Sequence, residues 1–236
     1  MFNFIKNIMN KNNIGQEVFN HRILKTDIYK EEGDGEQSIL FGCGCFWGAE
    51  KCFWKLPGVV TTSVGYAGGI IKEPSYEDVC GGYTGHAEVV KVVWNADRID
   101  ISDLLKMFWE CHNPTQKNRQ GNDIGTQYRS AIFYKNEHHK DIILKSKEAY
   151  QKSLRDNNLG NIETEIKKIS EYFFAENYHQ QYLAVDGSRQ YCSAAPTKTL
   201  LKEFEGANYK LDPSIWENFD WDIDKCVLRS NNNPIQ

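Results

Sequence analysis

Short runs of β-branched and aromatic residues alternate along this chain with stretches whose apolar residues recur at helical spacing. That alternation limits the possible folds more than any other feature. Ser38–Cys43 (SILFGC), Val59–Val64, Ala87–Trp94, Arg129–Tyr134 and the alternating Ile162–Ile169 have the pattern of strands. Phe46, Ala49, Cys52, Phe53 and Leu56 repeat as one face of a helix, which Pro57 and Gly58 stop. Ser102 stands where an N-cap would start a helix burying Leu104, Leu105, Phe108 and Trp109. Asn136 is placed likewise ahead of Ile142, Ile143, Leu144, Ala149 and Leu154, and Glu176–Leu183 predicts a further short helix. No internal repeat or Pro/Ser-rich linker divides the chain, and 236 residues suffice for one large core. The pattern predicts a single α/β domain around a mixed sheet and leaves the strand order open.

The two ends read differently from the middle. Residues 1–37 are polar and Asn-rich, finish in the acidic stretch Glu31–Glu36, and read as a disordered leader outside the core. Residues 38–195 carry the domain, and 196–236 read as an irregular tail whose last residues, Ser230–Gln236, look disordered. Met1–Asn13 bears lysines and no acids around Phe2, Phe4, Ile5, Ile8 and Met9. With no Arg and little Ser it fits a plain leader better than an organelle-targeting peptide. A cytoplasmic enzyme is therefore expected, with a mitochondrion or another organelle as the alternative. No apolar run approaches the ~18 residues that span a bilayer. A net charge of −4 with no basic face argues against nucleic acid as a partner. The seven cysteines are odd in number, widely spread and show no paired C-x-x-C knuckles. They read as mostly reduced thiols, one or more of them chemically active, with no metal and no organic cofactor.

The chemistry gathers at a few places. Cys45 falls where a strand gives way to a helix N-terminus, whose unpaired N–H groups favour a thiolate, so it is either a reactive thiol or a small buried core residue. Gly42, Gly44 and Gly48 around it would leave room for an approaching substrate. Phe46 and Trp47 are either core aromatics or the walls of an apolar pocket that suits a thioether methyl. Glu88, at the mouth of the Val89–Val93 strand with apolar neighbours, is either an ordinary solvated carboxylate, the commoner case, or a candidate for a raised pKa and proton donation. The polar loop Arg119–Arg129 is long for a compact domain, which points to function. Tyr178–Tyr182 is a surface helix or a site wall, and His179 by itself reads as structural.

The string GCFWGAE, Gly44–Glu50, resembles the signature of the type A peptide methionine sulfoxide reductases. So, in order, do Val64–Gly69 (VGYAGG), Pro74–Cys80 (PSYEDVC), Gly85–Val90 (GHAEVV), Arg119–Ser130 (RQGNDIGTQYRS) and Tyr178–Leu183 (YHQQYL). The resemblance covers residues 38–195 and implies a two-layer α/β (α+β) sandwich with a mixed sheet, related to the split βαβ plait. It also implies a monomer that reduces the S epimer of methionine sulfoxide, free or in proteins. The implied route runs through a cysteine sulfenic acid and an intramolecular disulfide, recycled by thioredoxin or a similar dithiol.

Residue by residue, the resemblance makes Cys45 the nucleophile and Glu88 the proton donor, with Tyr76 and Tyr128 bonding the sulfoxide oxygen. Phe46 and Trp47 would receive the methyl group and Asp123 the substrate backbone. Cys192 takes the place of the resolving thiol, and Cys226 either relays the disulfide outward or is an inert surface thiol. Cys43 departs from the family pattern, which more often has a small non-thiol residue there. It would point away from Cys45, and Cys52, Cys80 and Cys111 read as passive. Two rival readings need fewer of these residues: a thiol-based redox sensor or peroxidase built on Cys45, and a non-catalytic module that binds methionine-containing partners.

Overall fold

The structure is a computed structural model that describes residues 19–236, so the reading of Met1–Asn13 lies outside the described residues. A strand β1 (Glu36–Cys43) leads into helix α1 (Phe46–Trp54), followed by β2 (Val59–Ala67), a short α2 (Tyr76–Cys80) and β3 (Ala87–Asn95). Helix α3 (Ile101–Cys111) comes next, then a small ribbon of β4 (Arg119–Gln120) and β5 (Asp123–Ile124). The remaining elements are β6 (Ser130–Tyr134), α4 (Glu137–Asp156), β7 (Glu165–Lys168), β8 (Tyr172–Phe174) and α5 (Cys226–Arg229).

Six strands form one mixed sheet in the order β7-β6-β1-β3-β2-β8, antiparallel throughout except for β6 and β7. Alternation along the strands sorts their side chains. Phe41, Cys43, Val64, Tyr66, Val90, Val92, Trp94 and Ile132 face α1, α3 and α4 and make the main core. Leu40, Ala67, Val89, Ala131 and Phe133 make a second, smaller cluster on the other face, covered by Ile169 and Tyr172 rather than by a helix. The expected two-layer α/β arrangement with a mixed sheet is present. Its central pair, β1 beside β3, brings the end of one strand and the start of the other to the same edge.

Several local expectations need correction. The cap of α3 is Asp100, not Ser102. The Asp100 carboxylate accepts from Ser102 N at 2.9 Å, while Asp103 accepts from Asp100 N at 3.1 Å, a closed capping box that the hydroxyl cannot match. Glu176–Leu183 is a run of turns with a 3-10 turn at Tyr182–Ala184, because Gln181 is held in the left-handed region at φ 48°. The segment 19–35 is no detached leader. Ile28 is fully buried, and His21 Nε2 meets Thr62 Oγ1 at 2.8 Å inside the core.

The tail is irregular, as expected, yet packed. Leu201, Ile215, Phe219, Trp221 and Val227 join the main core. Ser230–Gln236, expected to be disordered, lies along α1 instead. Lys51 Nζ and Trp54 Nε1 donate to the carbonyls of Ser230 (2.8 Å) and Asn232 (2.9 Å), and Ile235 N donates to Lys55 O at 2.9 Å. Residues 19–35 and the tail hold on by single anchors and isolated hydrogen bonds, which leave no periodic trace. Ile28→Ala should therefore lower the unfolding free energy by about 2–5 kcal/mol in a denaturant titration. An unchanged midpoint would put the segment back on the surface.

Candidate active site

Cys45 is the N-cap of α1, and the first helical residue, Phe46, sends its free amide to Glu88 Oε2 at 3.0 Å. Glu88 stands opposite Tyr66 near the start of β3, on the face that β3 turns toward the helices. The carboxyl is 1 % exposed, and burial pushes its pKa up to about 8, against the pull of the Phe46 N–H. Around neutral pH Glu88 is thus an acid holding its proton, as its sequence position suggests.

Cys45 departs from expectation. Desolvation, followed by the charge of Glu88, raises its thiol well above the ordinary value, and the Trp47 N–H offsets only part of this. The helix terminus alone does not make a resting thiolate here, because the thiol is desolvated and the first free amide is already engaged by a carboxyl. Cys45 nonetheless keeps a window to solvent.

The aromatic residues form a box over this pair. Phe46 is buried against Tyr66 (ring centroids 6.0 Å), while Trp47 stacks on Tyr182 at 3.8 Å. Trp47 Nε1 donates to His179 Nδ1 at 3.1 Å, and the His179 ring lies 4.5 Å from that of Tyr76. Burial lowers His179 to about 4, so it is a neutral imidazole and part of the wall rather than a remote structural residue. Tyr76, at the start of α2, and Tyr128, in the 3-10 turn Thr126–Tyr128, both feel the charge of Glu88; burial keeps both phenols protonated. Arg129 fastens the Tyr128 turn to the mouth of β3 through Gly85 O (3.1 Å) and to β7 through Glu165 (2.8 Å).

Asp123, on β5, accepts from Tyr191 OH through Oδ1, while its Oδ2 is buried without a partner. Cys192 follows Tyr191 in the chain and is buried, its sulfur seated on the backbone of Gly48 one turn into α1. A Cβ at Gly48 would overlap that sulfur, and one at Gly44 (φ +89°) would overlap Gln120. These glycines make room for the protein's own tail and loop, not for substrate as the sequence suggests. Gln120 in turn accepts from Asn113 N and Ala195 N, both at 3.1 Å, tying the loop to the segment that carries Cys192. Cys226 begins α5, which packs on α1, and its half-buried thiol lies close enough to Cys192 and Cys52 to feel their charge.

Sequence reasoning missed Glu176 and Tyr191 altogether. Glu176 accepts from Tyr76 N (2.9 Å) and Tyr66 OH (3.0 Å) and lies 3.9 Å from His179 Nε2, so one carboxylate fixes three residues of the box. Its adjacency to the YHQQY string was the only available signal. Tyr191 was signalled by nothing beyond its place beside Cys192.

The family profile described as "Peptide methionine sulfoxide reductase" matches residues 37–210. The chain belongs to the peptide methionine sulfoxide reductase family. It is 50% identical over 177 residues to the peptide methionine sulfoxide reductase MsrA of Vibrio vulnificus, covering 75% of this chain and 84% of that protein. It is 51% identical to the enzyme of Salinispora arenicola, covering 75% and 80%. Methionine sulfoxide reductase A of Corynebacterium diphtheriae superposes with a TM-score of 0.66 at 40% identity, covering 78% of this chain and 89% of that one. Mxr1 of Saccharomyces cerevisiae in its reduced form gives 0.63 at 31% identity, covering 79% and 100%. The chain is thus an oxidoreductase that uses thiol chemistry to reduce methionine sulfoxide, and the sensor, peroxidase and binding-module readings fall away. Among the described residues no helix is long and apolar enough to cross a membrane.

The seating of Cys192 on Gly48 makes a specific prediction for a reductase. Gly48→Ala should still release close to one methionine per enzyme in a single turnover without reductant. It should slow steady-state turnover with a dithiol roughly tenfold or more, about 1.4 kcal/mol of barrier, because the second thiol is displaced. Loss of the single-turnover burst would instead mean that Gly48 serves the first chemical step.

Proposed function

We propose that Cys45 attacks the sulfur of S-methionine sulfoxide while Glu88 protonates its oxygen. The support is the shared corner of the two groups: an acid with a pKa of about 8, bonded to the amide next to the thiol-bearing residue. A sulfoxide oxygen is a poor leaving group until protonated, so a buried carboxyl that still carries a proton at neutral pH is the group the reaction needs. Tyr76 and Tyr128 donate to the same oxygen as charge develops on it. The substrate methyl packs against Phe46 and Trp47, and Asp123 holds the substrate backbone. A fixed methyl wall opposite a fixed oxygen site admits one hand of the sulfoxide.

Attack forms a bond from Cys45 sulfur to substrate sulfur. The protonated oxygen then leaves the substrate sulfur and ends on the Cys45 sulfur as the new S–S bond breaks, giving methionine and a sulfenic acid on Cys45, while the thiol proton replaces the one Glu88 gave up. The Cys192 thiol then condenses with the sulfenic acid, forming a disulfide and expelling water. A thioredoxin-class dithiol reduces that disulfide by exchange. Cys226, beside Cys192 and less deeply buried, receives the disulfide from it and presents it nearer the surface. The enzyme works as a monomer in a reducing compartment, the cytoplasm, where such dithiols are maintained.

Dithiothreitol-driven reduction of the separated epimers tests this reading. The S epimer alone should turn over, and Cys45→Ser should abolish it. Turnover should decline as pH rises through about 8, where Glu88 ionises. Glu88→Gln should be slower by ~10²–10⁴ and lose that decline. Equal activity in Glu88→Gln, or an unchanged alkaline limb, would remove Glu88 from the mechanism.

A further inference from the structure

Behind the β1–α1 junction, on the core side of the sheet, three thiols and an imidazole converge that the reaction does not use. Cys43 ends β1, Cys111 ends α3, and His112 follows as the C-cap of α3. The donor atoms of these three lie within 4.8 Å of one another, and all three residues are buried. The thiol of Cys52, on the buried face of α1, lies close enough to that of Cys111 to perturb it, as Cys111 does Cys43.

The orientation of His112 is as informative as its position. Its Nδ1 lies 2.7 Å from Phe108 O, and a carbonyl cannot donate, so Nδ1 carries the proton and Nε2 a lone pair. Nε2 takes the hydroxyl of Ser130 at 2.7 Å, opposite Cys43 in the β1–β6 register. Ser130 Oγ has a second partner, Thr164 Oγ1 at 2.7 Å, to which its proton can turn when Nε2 is otherwise engaged. An imidazole pinned by a backbone carbonyl on one nitrogen, its other nitrogen held only by a hydroxyl that has an alternative partner, has the outer-shell arrangement of metal-binding histidines.

We propose that this cluster binds one thiophilic divalent ion of the zinc class, through Cys43 Sγ, Cys111 Sγ and His112 Nε2, with Cys52 Sγ as the fourth ligand. Three cysteines and one histidine make a closed tetrahedral donor set. With metal–ligand bonds of about 2.0–2.3 Å, donor atoms this close need only a small contraction to meet one ion. Each cysteine gives up its proton on binding, so one ion displaces three protons and leaves a site of charge −1. The thiols are drawn from β1, α1 and α3, so the ion would clamp the strand end two residues before Cys45. It would also hold three non-catalytic thiols out of exchange with the nearby disulfide of Cys45 and Cys192. Nothing in the residue order points to this, because the ligands come from three separate elements rather than from paired knuckles.

The test uses the full reduced chain. Stoichiometric zinc should raise the melting temperature of the wild type, and cobalt(II) should give the visible bands of tetrahedral thiolate ligation at one equivalent, bleached by zinc. Cys43→Ala/Cys111→Ala, which leaves the reductase residues untouched, should lose both signals and keep S-sulfoxide reduction. Cys45→Ser/Cys192→Ser/Cys226→Ser should keep both signals. Absence of the cobalt bands in folded wild type, their persistence in Cys43→Ala/Cys111→Ala, or their loss in the Cys45/Cys192/Cys226 variant would each overturn the proposal.

Discussion

One hydrogen bond organises the reductase site: the amide of Phe46 donating to the carboxyl of Glu88. The first amides of a helix lack partners within the helix and attract negative charge. Here that favourable end is given to a carboxyl already drained of water, and the balance still leaves the proton on it near neutral pH. The site therefore stores an acid next to a thiol rather than a thiolate next to a base. The fold holds the proton more tightly than an unfolded chain would. Stability from this group is lost as pH climbs from the usual carboxylate range toward 8, which is the cost of keeping the acid ready.

The rest of the structure keeps that corner in place. Glu176 gathers Tyr66, Tyr76 and His179, and His179 orients Trp47. Glu50, buried in the middle of α1, accepts from the backbone N (2.8 Å) and side chain (2.7 Å) of Gln181 and from Thr62 Oγ1 (3.0 Å). This holds Gln181 in its left-handed conformation and sets Tyr182 against Trp47. Two carboxylates outside the reacting pair thus position the aromatic wall, one from the tail side and one from α1. On the opposite flank, Gln120 and the open backbone of Gly48 let the tail bring Cys192 down onto the nucleophile's own helix.

Much of this was legible in the sequence where residue type and spacing carry the information together. The five main strands followed from β-branched runs, and the strand–turn–helix at Gly42–Leu56 from its glycines and helical period. Glu88 was only a candidate acid from its apolar neighbours, an ordinary solvated carboxylate being the commoner case, and the resemblance to the reductase family singled it out. The helix read at Glu176–Leu183 failed because a distant carboxylate, Glu50, overrides local preference there. The ends were misread because Ile28, Trp221 and Ile235 anchor without periodicity, through burial or single bonds to α1 and its neighbours. Tyr191 and Glu176 act through contacts across 68 and 100 residues of chain, and the order of residues does not display such contacts. The expected thiolate at Cys45 failed for a related reason: the burial of the thiol and its closeness to Glu88 are settled only when β3 is laid beside β1.

The central claim is that Glu88 holds a proton in the resting enzyme at neutral pH. Infrared difference spectroscopy across a pH titration, with Glu88→Gln as the reference, reads this directly from the carbonyl stretch of a protonated carboxylic acid. A carboxylic-acid band present at pH 7, fading through about 8 and missing from the variant, is the predicted result. A spectrum at pH 7 in which this carboxyl is already ionised would contradict the account.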